Sequence, residues 1–141
     1  MGYVIGTVLA LAVTTSATAL GLDRERVFYP SMMITIAAYY ILFAAMGASA
    51  PVVILEAVAA IAFMLLAVVG FKTSLWLVAA ALAAHGVFDL FHHLIIDDPG
   101  VPRWWPDFCL AFDVVAAGYL GILLMKRPDL TRPGRLKSDP Y

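Results

Sequence analysis

All three histidines of this 141-residue chain lie in one short stretch, His85-Gly86-Val87-Phe88-Asp89-Leu90-Phe91-His92-His93. Imidazole titrates near neutral pH, and with carboxylates it forms a ligand set for zinc, iron, copper or manganese. On an α-helix, at about 100° per residue, His85, Asp89 and His92 fall within an arc of about 60°. They form one polar stripe, with Phe88 and Phe91 on its flanks and His93 about 80° away from His85. Asp89 and His92 repeat the i, i+3 carboxylate–histidine spacing of carboxylate-bridged metal bundles. A dinuclear centre of that kind takes two such pairs, and this chain has one. Two further acids, Glu56 and Asp113, stand in apolar stretches of their own.

The composition says what must position these groups. Hydrophobic residues make up 63 % of the chain and charged residues 13 %, against about 45–50 % and about 25 % in soluble domains. That excludes a disordered chain, a disulfide scaffold and a nucleic-acid binder. Cys109 is the one cysteine, so neither an internal disulfide nor a cysteine zinc cluster is available, and packing is its expected use. The expected fold is all-α: a polytopic integral membrane protein with five transmembrane helices over about 3–20, 27–47, 51–70, 74–96 and 107–125. Each span has close to the ~20 residues that cross a ~30 Å hydrocarbon core, and in lipid only helices satisfy their own backbone at that length. Residues 1–125 form this domain, and 126–141 are expected to be a flexible basic tail.

The breaks suit these spans. Pro51 fits the first turn of a helix, Thr73 or Ser74 can cap the fourth span, and Asp107 is expected to cap the fifth. Asp23, Arg24, Glu25 and Arg26 are expected to form a solvated turn. Thr14, Thr15, Ser16 and Thr18 are expected to bond their own helix carbonyls. Ala17-Thr18-Ala19 resembles a signal-peptidase site, but no basic segment precedes it. With the N-terminus outside, Arg24, Arg26, Lys72, Lys126, Arg127, Arg132, Arg135 and Lys137 fall on the cytoplasmic side and only Arg103 outside. This bias predicts an N-out, C-in protein of the cell membrane.

In that topology Glu56, Asp89, His92 and Asp113 share the outer half of the membrane, with His85 below them. Charged groups there cost about +2.5 to +3.5 kcal/mol each on insertion scales, so they are expected to face the bundle interior. The leading expectation is a mononuclear site for one divalent transition metal, zinc or iron. His85, Asp89 and His92 are the candidate ligands, and Glu56 and Asp113 the candidate bases. The substrate would be a lipid or small apolar molecule, and the 97–106 loop would lie over the mouth of the site. Two alternatives stay open: a proton- or ion-coupled carrier, and a non-catalytic subunit whose buried polar groups only join helices. Membrane lipids and further copies of the chain are the expected partners. Tyr39 and Tyr40 fit either the same cavity or a lipid interface.

Over its nine residues the stripe resembles membrane metallohydrolases of the alkaline-ceramidase type, in which intramembrane His, Asp and Ser surround zinc. Those proteins have more spans, and dispersed histidine motifs that this chain lacks.

Overall fold

Backbone polar groups in an apolar segment must be satisfied within the segment, and five segments of this chain do so as helices. The computed structural model describes residues 1–133. It consists of α1 (Gly2–Leu20), α2 (Phe28–Gly47), α3 (Ala50–Lys72), α4 (Leu75–Ile95) and α5 (Trp105–Lys126), followed by a 3₁₀ turn at Pro128–Leu130. All five helices are long and apolar enough to cross a membrane. Their ends lie within two residues of those expected from the sequence.

Helix α4 is central, with α5 on one side and α3 on the other. Helix α1 packs on the far side of α5, and α2 packs on α3 and touches α4. Residue size explains which faces meet. The buried positions of α1 are Gly2, Gly6, Ala10, Thr14 and Ala17, and those of α3 are Glu56, Ala60, Ala67 and Gly70. The outward positions of the same helices include Val4, Val8, Ile54, Leu55, Val58 and Ile61. Large apolar side chains that would fill a soluble core thus face outward, and small ones line the helix contacts. In a bilayer, where water does not drive helices together, close backbone approach is what packs them. Among the helical glycines the approach is tightest at Gly6: a Cβ there would run into the backbone carbonyl of Phe108.

The connections depart from expectation in three places. Asp107 does not cap α5; Trp104 stands at that position, Pro106 occupies the first turn, and Asp107 follows within it. The fixed φ of proline suits a first helical turn and moves the start upstream. Asp23 is not solvated, and Arg26 is half-buried with its guanidinium engaged. Asp23 is 3 % exposed and accepts a 2.5 Å bond from the Thr18 hydroxyl, which the Tyr119 hydroxyl approaches at 2.9 Å. The Arg26 guanidinium donates to the Leu130 carbonyl at 2.7 Å and to the Phe71 carbonyl at 2.6 Å. The chain beyond Lys126 is also tied down at first: Leu130 is buried and the Leu75 amide donates to the Thr131 carbonyl at 3.0 Å. The rest of the tail expected over 126–141, from 134 on and with Arg135 and Lys137, lies outside the described residues.

Other local readings agree with the structure. Helix α1 stops at Gly21, whose φ of 76° is left-handed, a conformation glycine adopts without the penalty a Cβ brings. Ser74 caps α4 by accepting from the Trp76 amide at 3.3 Å. Thr14 and Thr15 bond the carbonyls of Ala10 and Leu11.

Candidate functional site

The helical period puts His85, Asp89 and His92 on the inward face of α4, and all three are buried there. Helix α5 brings Asp113 to this face, α3 brings Glu56 and α2 brings Tyr40. The five sequence-derived candidates therefore do converge, in two groups. In the deeper group, His85 Nδ1 lies 2.7 Å from Asp113 Oδ2 and 3.3 Å from Asp89 Oδ2. The ligand atoms of His85, Asp89 and Asp113 all lie within 4.8 Å of one another. In the group nearer the 97–104 loop, His92 Nε2 lies 2.6 Å from Glu56 Oε1. His92 is thus paired with Glu56 and stands apart from the deeper carboxylates, while Asp113 stands among them. His93 is exposed.

Tyr40 joins the two groups. Its hydroxyl donates to Asp89 Oδ1 at 2.6 Å. Its ring lies against His92 at a centroid distance of 4.4 Å and faces His85 at 6.0 Å. The sequence left Tyr40 with a lipid-facing alternative. The signal that resolves it is the spacing Tyr29, Met33, Ala37, Tyr40 and Ala44, the buried stripe of α2. Tyr39 takes the other face, near Trp105 and Phe43. Phe63 and Phe88 wall the histidines with edge-on or tilted rings.

Each of the three carboxylates is bonded through one oxygen only. Glu56 Oε2, Asp89 Oδ2 and Asp113 Oδ1 are buried with no hydrogen-bond partner among the described residues. Asp89 Oδ2 is near His85 Nδ1 but lacks hydrogen-bonding geometry to it. Two carboxylate charges about 5 Å apart repel by about 3 kcal/mol at an effective dielectric near 20, and a bare buried acceptor costs about 1–3 kcal/mol more. The cluster as drawn therefore calls for a cation or for shared protons. A His/Asp/Asp group whose ligand atoms gather within 4.8 Å could hold a metal ion.

The groups are reached from one end. A cleft of about 520 Å³ opens under the 97–104 loop and is lined by Asp89 and His92 at its base and by His93, Asp97, Asp98 and Asp107 around it. Asp98 is held there by accepting the Gly100 amide at 2.8 Å. Toward the other end the contact between α4 and α5 is apolar, with Leu75, Val78 and Leu82 of α4 and Ala116, Leu120 and Leu124 of α5; the buried polar residues Thr14 and Asp23 lie on α1 and in the turn after it.

Compared with family models, curated proteins and solved structures, the chain matches none. The chemistry of the site rests on these side chains alone.

Proposed function

We propose that this is a multi-pass protein of the cell membrane that holds one divalent transition metal ion, zinc or iron, at His85, Asp89 and Asp113. The observation that carries this reading is the set of three buried carboxylates, each with one unpartnered oxygen, gathered around two histidines. Burying three acids inside apolar helices is costly, and a divalent cation offsets that cost where two neutral imidazoles do not. A mixed imidazole–carboxylate set suits zinc, iron or manganese better than a soft thiophilic ion.

Bound there, the metal would supply a Lewis acid and lower the pKa of a coordinated water. The chain's own residues have separate tasks. Tyr40 fixes Asp89 by donating to it, and the Glu56–His92 pair, whose His92 lines the cleft beside Asp89, can take up and hand on a proton. The rim carries Asp97, Asp98 and Asp107 against Arg103, an excess of negative charge that draws cations toward the cleft. A lipid or small apolar molecule is the substrate class in keeping with a site inside a membrane. A carrier is less well supported, because the contact between α4 and α5 beyond His85 is apolar, made by Leu75, Val78, Leu82, Ala116, Leu120 and Leu124.

The test is metal content, by mass spectrometry, of untagged protein purified in mild detergent. The expected result is about one zinc or iron per chain, lost in Asp113→Asn and kept in His92→Ala. Metal retained in Asp113→Asn would move the ligand set elsewhere. No metal in the wild type would overturn the reading and leave a site of shared protons, which proton flux in liposomes then examines.

A further inference from the structure

Two cavities away from the polar site run into one another. The larger, about 1060 Å³, is an apolar slot between α1, α2 and α5 with walls that include Leu9, Val13, Ile36, Phe108 and Phe112. It exists because α1 and α2 are consecutive in the chain yet pack on different partners. Along α2 the slot runs from Val27 to Tyr39, about 18 Å at 1.5 Å per residue. That is close to one leaflet's share of a ~30 Å hydrocarbon core.

The smaller cavity, about 670 Å³, lies at the end of the bundle where the 21–27 turn, the end of α3 and the 127–133 segment meet. Arg24, Glu25 and Val27 line both cavities, so the slot opens directly into this basin. The basin holds Arg24, Arg26, Lys72 and Arg132 against Glu25 and Asp129, an excess of positive charge. The hydrogens of Arg26 go to backbone carbonyls, which leaves its charge in place. Among the described residues, no carboxylate lies within ion-pair distance of Arg24, Lys72 or Arg132.

We propose that the joined cavities bind an anionic phospholipid of the leaflet on that side, with one acyl chain in the slot and the phosphate in the basin. The inference uses the membrane reading of the five helices and is independent of the metal. An apolar channel of leaflet depth with cations at its interfacial mouth complements that molecule in both shape and charge. Thr35 lines the slot but satisfies its hydroxyl on the Ser31 carbonyl at 2.9 Å, so it makes no polar demand on a hydrocarbon chain.

The experiment incubates detergent-purified full-length protein with equimolar phosphatidylglycerol and phosphatidylcholine, then measures the retained lipid by mass spectrometry. Wild type should retain phosphatidylglycerol in preference. Arg24→Gln and Arg132→Gln should each lower that preference about fivefold, from about 1 kcal/mol per basic side chain. Thr35→Trp, at an exposed slot position, should lose both lipids while helicity and metal content stay at wild-type values. Equal retention of the two lipids by wild type would overturn the proposal. So would retention unchanged in the arginine variants. A second copy of the chain seated in the slot, seen as a dimer that Thr35→Trp dissociates while bound lipid is unaffected, would overturn it as well.

Discussion

Tyr40 turns a collection of ionisable side chains into one arrangement. Its hydroxyl is the donor to Asp89, and its ring separates His85 from His92. Asp89 Oδ2 has no partner already, so Tyr40→Phe would leave both oxygens bare in the bundle. Removing such a partner costs about 1–3 kcal/mol, and groups that orient a metal ligand typically contribute 10–100-fold to affinity. Tyr40→Phe is therefore expected to weaken metal binding by about 10–100-fold while helicity is kept, read by competition with a chromogenic chelator. Unchanged affinity would show that Tyr40 packs without orienting Asp89. The stripe itself was legible because His85, Asp89 and His92 sit on one helix, where the 3.6-residue period fixes their relation. Its pairing across helices was not legible. Whether His92 meets Glu56 or Asp113 depends on how far α3 and α5 are rotated about their axes, and hydropathy does not encode that.

At the scale of the helix, residue size does what polarity does in a soluble protein. Helix α1 contributes no member of the polar cluster and is attached through small residues, with Gly6 against the Phe108 carbonyl. Gly6→Val has to push α1 off α5, because the obstacle is backbone and cannot rotate away. Overpacking of this kind costs about 1–3 kcal/mol, so the thermal midpoint in detergent should fall. Metal content should stay, since His85, Asp89 and Asp113 belong to α4 and α5. Gly118→Ala is the control: a Cβ there meets nothing within 4 Å, and removing a helical glycine should leave stability equal or slightly higher. Equal losses in the two variants would argue that glycine content, not close approach, holds α1 in place. Helix ends were readable within two residues because charged and Pro/Gly-rich breaks interrupt the apolar runs. Helix faces were not, because lipid-facing and bundle-facing sides are both apolar and differ mainly in volume. The roles of Asp23 and Arg26 escaped for a related reason: charges in a turn read as solvated until the turn is seen to close on α3 and the 128–131 segment.

The whole molecule is polar in a directional sense, and its two ends have different chemistry. One end collects Arg24, Arg26, Lys72 and Arg132 in a basin; the other carries Asp97, Asp98 and Asp107 around the cleft that leads to Asp89 and His92. The positive-inside rule predicts that the basic end is cytoplasmic, which would turn the acidic cleft outward. Single cysteines on a Cys109→Ala background decide the matter, because Cys109 is buried and Glu25 and Pro99 are exposed at opposite ends. In intact cells a membrane-impermeant maleimide should label Pro99→Cys and should reach Glu25→Cys only after permeabilisation. The reverse pattern would invert the topology without touching the fold. The predicted orientation also sets a route for the proposed metal. With an outward cleft and the apolar α4–α5 contact as a seal on the cytoplasmic side, an impermeant chelator added outside intact cells should strip the site. The same chelator trapped inside vesicles of native orientation should leave it loaded. Stripping from the inner side alone would mean that ions pass through the seal, and the carrier reading would then be the better account of the buried carboxylates.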